Sequence, residues 1–317
     1  MVPQYIRAAT LKPGASKLSL VSVSMPVPGS GEILVEVRAS VVNEIDVHTR
    51  RGSYQSFRPL WSKHGAAMTG FEFAGIAQND GKTVRKGDRI AGVVHILESA
   101  RCHAQYICVQ EKYAGIIPDL ISFEDAVSTL GMSAAAIDIF ENIAVPSSGQ
   151  KVLVIGASGG LGIYSVQYAK YKGAEVTAVC SRQNATWVQE MGADHIRPYD
   201  TQESLQKGDE FDLIIDCPYK YSFSHVESFL ANQGMYVNSM PSSDPSGFQQ
   251  AQRSSKRAGE LLLYEGSKSL VETILRHVTE KNIVPAIDSV FKLEDIDKAF
   301  DKFEKSGKQG RILLSVA

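Results

Sequence analysis

Two stretches of this chain carry residue types at spacings that could do chemistry. The first, VVNEIDVHTRRG at residues 41–52, sets an amide, a carboxylate and an imidazole close together as Asn43, Asp46 and His48. Such a set is half of a metal site, a proton-transfer device that needs no metal, or the polar side of a loop. Of the three, the imidazole, with a reference pKa of about 6.5, exchanges protons most readily near neutrality. The second stretch, VLVIGASGGLG, brings Gly156, Gly159 and Gly162 onto a predicted strand-to-helix turn, together with Ser158, Gly160 and Leu161. There Gly156 permits the sharp turn, Gly159 lets the backbone approach a pyrophosphate, and Gly162 lets helix and strand pack closely. The amides and dipole at the helix start then face phosphate oxygens. A tight turn with no ligand would use the same glycines, but a strand before and a helix after are the context dinucleotide binding needs.

The end of the next strand chooses the cofactor. EVTAVC runs into Ser181-Arg182-Gln183-Asn184, with no carboxylate along the chain until Glu190. A carboxylate there would accept from the adenosine ribose of NADH. A hydroxyl and a guanidinium suit the 2′-phosphate of NADPH instead. Tyr199, beyond the following strand, borders the same pocket, and Cys217 at the end of DLIIDC is counted with the cofactor residues. The alternative for Arg182 is a solvated surface arginine. The four cysteines, Cys102, Cys108, Cys180 and Cys217, form no Cys-x-x-Cys pair, which speaks against a zinc ribbon or a disulfide framework.

These groups need elements to hold them. Up to residue ~120 the pattern is β-rich: Ile33, Val35 and Val37 alternate with polar neighbours, FEFAGIAQNDGKTVRKGDRIAGVV reads as a hairpin or meander, and AQYICV as a strand. Ser122 is the expected N-cap of an Ala-rich helix, with Glu124 and Asp125 in its first turn. KVLVIG, EVTAVC, DLIIDC and GMYVNS then alternate with helix-like segments, which predicts a doubly wound parallel sheet. Residues 241–266 read as a Ser-rich loop leading into a strand at 260–264. A helix over SLVETILRHVTEKN, a short helix at 294–305 and a strand at 311–316 complete the chain.

With 317 residues, about two domains are expected. A net charge of −2 gives no basic field for nucleic acid or an anionic membrane. No apolar run reaches the roughly 18 residues of a membrane span, and MVPQYIRAATLKPG has no signal-peptide core. A cytoplasmic protein is expected.

NEIDVHTRRG, GFEFAG, VRKGDRIAG, AQYICV, AVSTLGMSAAAID, VIGASGGLG, MGADH, VPAIDSVFKLEDIDKAF and QGRILL, in this order, resemble the zinc-independent quinone oxidoreductase branch of the medium-chain dehydrogenase/reductase superfamily. Residues 95–103 and 241–266 match it poorly. The resemblance implies a GroES-like β-rich catalytic domain from 1–121 and 284–317, and a Rossmann NADPH-binding domain at 122–283. It implies NADPH-dependent reduction of quinones or α,β-unsaturated carbonyls, commonly by a homodimer. Zinc relatives have ligand Cys and His where this chain has Asn43 and Phe71, so catalytic zinc is not expected. Cys102 and His103 are read as strand-edge residues. His48 stands where quinone reductases have Tyr and zinc relatives a relay His, and is the first candidate proton donor, against a histidine that fills the cleft wall. Asn43 would orient nicotinamide or substrate oxygen, and Ser133 matches a cofactor-contacting Thr. Tyr54, with Arg50 and Arg51, would line the entrance or be solvated. Asp46 is expected to hold local backbone. Of a different class is an NADPH-binding module with vestigial reductase activity that acts on a protein or RNA partner; the basic run RSSKR at 253–257 is its one pointer.

Overall fold

The computed structural model describes residues 3–12, 15–52, 62–63, 66–95, 101–144, 146–239, 256–260 and 266–316. The β-rich part is built on a seven-stranded mixed sheet. Its centre is β3 (Glu32–Val42), where Ile33, Val35 and Val37 are buried as their alternation predicts. On one side β3 pairs with β6 (Glu72–Ala77), which continues to β7 (Arg89–Val93) and β9 (Ala114–Ile116). On the other it pairs first with β8 (Tyr106–Gln110) and then with β17 (Arg311–Ser315), with β16 (Ile287–Lys292) beyond. The expected hairpin is β6–β7, antiparallel from Glu72↔Val93 to Ile76↔Arg89. Its tip is pinned by Glu111, whose carboxylate accepts from the backbone of Lys82, Thr83 and Val84. Four further strands, β1 (Tyr5–Leu11), β2 (Ser19–Ser24), β4 (Ser62–Lys63) and β5 (Ala66–Met68), form a second sheet in the order β2-β1-β5-β4.

The other unit is an all-parallel sheet in the order β12-β11-β10-β13-β14-β15. These strands are β10 (Lys151–Ile155), β11 (Glu175–Cys180), β12 (His195–Pro198), β13 (Phe211–Asp216), β14 (Leu230–Asn238) and β15 (Arg257–Glu260). From β10 the chain steps outward through β11 and β12, then returns to the other side for β13, β14 and β15. That reversal makes the β10/β13 junction the switch point at which doubly wound sheets bind ligands. The chain is thus a GroES-like β-rich part joined to a Rossmann-type sheet.

Seven α-helices are described: α1 (Glu44–Arg50), α2 (Phe123–Asp138), α3 (Gly160–Tyr171), α4 (Ala185–Glu190), α5 (Phe223–Val226), α6 (Lys268–Thr279) and α7 (Ile296–Phe303). Helix α2 starts at Ser122, whose hydroxyl accepts from the Asp125 amide as the capping pattern predicts. It ends in a π-helical turn, Ile139–Ile143. Its small residues, Ala126, Gly131, Ser133, Ala134 and Ala136, let it lie between the two sheets. One apolar cluster therefore runs from Ala39, Val41, Ala74 and Ala91 through Leu130 and Ala134 to Val152, Val154 and Ile163.

The strand expected at 260–264 meets a described strand, Arg257–Glu260, at Glu260, and its remainder, 261–264, lies outside the described residues. An edge strand needs no apolar alternation. Here register comes from Met235↔Arg257 pairing and from the Lys256 ammonium donating to the Leu230 and Ala231 carbonyls. The stretch after Asn43 is a short helix held by tertiary anchors described below. Among the described residues no helix is long and apolar enough to cross a membrane.

Candidate active site

At the end of β10, Gly156 has φ of +77° and Gly159 stands as N-cap of α3. A Cβ on Gly162 would come 2.2 Å from the Gly156 carbonyl oxygen, so the helix start locks onto the strand as the glycine spacing predicts. A Cβ on Gly159 would meet only that same oxygen, at 3.4 Å, so its outer side is open. Cys217 follows β13 and packs beside Gly156 across the switch point, its carbonyl accepting from the Ser239 hydroxyl. Burial, reinforced by Asp216, pushes its thiol pKa up, so it lines the site as a neutral group. Asp216 itself is buried, and burial raises its pKa against the Lys220 and Tyr221 amides and the Tyr236 hydroxyl that it accepts from.

Ser133 on α2 and Ser181 after β11 are both buried, and neither hydroxyl has a hydrogen-bond partner in the structure. A buried unpartnered hydroxyl is costly unless something else takes it up, which is what a bound dinucleotide would do. Arg182 is exposed beside Ser181, and Tyr199 is 48% exposed with its amide bonded to the Cys180 carbonyl. The structure thus gathers Ser181, Arg182 and Tyr199 at one end of β11. It adds a residue that reading along the chain missed: Asp200, whose carboxylate accepts the Arg182 N–H at 3.0 Å. Asp200 arrives from the neighbouring strand, so distance along the sequence hid it.

The two parts of the molecule meet at the glycine loop. The Gly310 N–H donates to the Ser158 carbonyl, and a Cβ on Gly160 would touch Arg311. Arg311 is buried and donates to Glu72 at 2.6 Å and to the Asn43 amide oxygen at 2.9 Å. Glu72 also accepts the Gly131 N–H, so β3, β6, β17 and α2 converge there. Sequence reading passed over Glu72 and Arg311. Their signal was a charged residue inside an apolar strand, in GFEFAG and GRILL.

Around α1, the two carboxylate oxygens of Asp46 accept the Asn43 and Gly70 amides, the backbone role expected of it. Burial raises its pKa while His103 and those amides oppose. His103 is fully buried, which lowers its pKa. Its Nε2 faces the Val41 carbonyl and so carries the proton, while Nδ1 accepts from Thr69. Burial pushes the Cys102 thiol up and keeps it neutral. With the Asn43 oxygen taken by Arg311, Phe71 donorless, and Asp46 and His103 fully engaged, these side chains do not fit a catalytic zinc. Among the described residues no group of three metal-binding side chains occurs.

His48 lies 3.3 Å from Glu44 one turn earlier on α1, with its side chain 27% exposed. Arg50 and Arg51 pair with Asp301 and Glu304 and dock α1 on α7; the Arg50 side chain is left 8% exposed in doing so, while that of Arg51 is 56% exposed and so is the solvated arginine that was one of its two expected roles. Tyr54 lies outside the described residues, as does most of RSSKR.

Residues 29–146 match the alcohol dehydrogenase GroES-like domain family and residues 191–314 the zinc-binding dehydrogenase family. The chain is 27% identical to the chloroplast envelope quinone oxidoreductase homolog of Arabidopsis thaliana over 95% of its own length and 94% of that protein. It superposes on the quinone oxidoreductase of Coxiella burnetii with a TM-score of 0.88, 23% identity, and coverage of 99% and 100% of the two chains. A mycobacterial structure complexed with NADPH gives a TM-score of 0.81 at 21% identity, covering 98% of this chain and 99% of that one. The chain thus matches both domain families of the medium-chain dehydrogenase/reductase oxidoreductases, and it is similar along its length to proteins of their quinone oxidoreductase branch.

Proposed function

We propose that this protein is a zinc-independent reductase that uses NADPH to reduce a quinone or an α,β-unsaturated carbonyl. The observation that carries the reading is the open face of Gly159 at the switch point, supported by the buried, unpartnered hydroxyls of Ser133 and Ser181. Residues 156–162 would hold the pyrophosphate, Ser181, Arg182 and Tyr199 the adenosine 2′-phosphate, and Ser133 and Cys217 the wall next to the nicotinamide. When bound, the reduced nicotinamide supplies hydride to the acceptor.

The chain's own residues then have three tasks. Asn43, fixed by Arg311, orients an amide toward the substrate oxygen. His48, with its Nε2 beside Glu44, gives up a proton to the reduced substrate and recovers it from solvent. The apolar walls around α2 keep water from the reacting carbon, so positioning and desolvation contribute most. Division into domains at 1–121 with 284–317 and at 122–283, a homodimer, and a cytoplasmic location belong to the same proposal.

Turnover tests it. Consumption of NADPH and of NADH is followed with a benzoquinone and with an enone, supplied separately. Turnover with NADPH is expected; none with any acceptor, despite nucleotide binding, would leave a binding module. His48→Ala should lower kcat by about 10²-fold, the usual loss of a general acid, with nucleotide affinity retained; an unchanged kcat removes His48 from the mechanism.

A further inference from the structure

We infer that Asp200 limits the preference for NADPH, so that the site also accepts NADH. The inference rests on the cofactor reading above. Three groups share the C-terminal end of β11: the Ser181 hydroxyl, buried and without a partner; the exposed Arg182; and the Asp200 carboxylate, 3.0 Å from the Arg182 amide. Parallel pairing of Cys180 with Pro198 and the Tyr199 N–H bond to the Cys180 carbonyl carry Asp200 over this end. Its charge reaches Cys180, whose thiol it helps to hold up to about 11 after burial.

Arg182 and Asp200 are both exposed, so a ligand can reach either charge. They ask for different ligands. A 2′-phosphate dianion is drawn by Arg182 and Ser181 and repelled by Asp200. A free ribose 2′-hydroxyl can donate to Asp200, the interaction that NADH-binding sheets obtain from an acidic residue at the end of the second strand. Here that carboxylate is delivered by the third strand of the unit instead of the second. The corner is therefore balanced between the two nucleotides, with Asp200 as the residue that sets the balance.

Direct titration of the whole protein with 2′,5′-ADP and with 5′-AMP reads this without relying on turnover. Asp200→Asn removes the charge and keeps an oxygen for the Arg182 amide. It should tighten 2′,5′-ADP about tenfold, the size expected for one carboxylate facing a dianion across a partly solvated gap, and leave 5′-AMP unchanged or weaker. Arg182→Ala should weaken 2′,5′-ADP alone. If Asp200→Asn leaves 2′,5′-ADP binding unchanged while Arg182→Ala weakens it, the inference fails and the NADPH reading stands. If the unaltered protein binds neither nucleotide, both fail. Unaltered protein that binds 2′,5′-ADP over a thousandfold tighter than 5′-AMP also overturns the inference.

Discussion

Removing the guanidinium of Arg311 leaves the Glu72 carboxylate buried with one remaining donor, the Gly131 N–H. The two side chains are 4% and 2% exposed, so solvent cannot replace the lost partner. With charge centres about 4 Å apart and an effective dielectric of about 20, their attraction is about 4 kcal/mol. Breaking one side of a buried pair costs about 3–5 kcal/mol, because an uncompensated charge stays behind. Arg311→Met should therefore destabilise the protein by about 3–5 kcal/mol. Adding Glu72→Gln should restore much of that loss, since the double variant buries no unpaired charge. Urea unfolding of the parent, both single variants and the double variant closes the cycle. A coupling energy of about 2 kcal/mol or more is expected. Additive losses, or a cost below about 1 kcal/mol for Arg311→Met, would refute the reasoning.

Gly162→Ala places a methyl group 2.2 Å from the Gly156 carbonyl oxygen. The helix start must move away from β10, and nucleotide affinity by titration should fall at least tenfold (~1.4 kcal/mol); unchanged affinity would remove the loop from the site. Glu111 gives a pH signature. Although burial acts to raise its pKa, the bonds from Thr83, Lys82 and Val84 hold it at about 2, against 4.5 for the free group. Its contribution is therefore fully present above pH ~4.5 and is lost as the pH falls through about 2. Since the carboxylate is largely solvated, about 1 kcal/mol is expected. Glu111→Gln should lower the melting temperature at pH 7 and flatten its decline between pH 4.5 and 2; an unchanged acid profile counts against the assignment.

The parallel sheet was legible because each of its central strands is a short apolar run, bounded by Gly or a helix start, with the glycine loop in the right place. Local devices were legible for the same reason: Ser122 with Asp125, and Asp46 with Asn43, lie three residues apart. Helix α1 was not, since seven residues give too little periodicity and its anchors, Gly70 for Asp46 and Asp301 and Glu304 for Arg50, come from elsewhere. Glu72 and Arg311 are 239 residues apart, and nothing local announces the pairing. The reading of Ser181-Arg182 used neighbours along the chain alone and left out Asp200, which reaches the same corner through strand pairing.

The placement of β17 has a consequence for how the chain is assembled. It lies between β16 and β3 and pairs Ile312 with Val42 and Leu313 with Val41. Asn43 and Arg311 are 268 residues apart. During synthesis, therefore, the second half of β3 waits with unpaired amides and carbonyls while the whole parallel sheet is made. Such an open apolar edge invites pairing with other chains, and closing so long a loop is slow. The nascent protein is most exposed to aggregation in the interval before β17 emerges, and a chain stopped short of Arg311 would keep that edge open permanently.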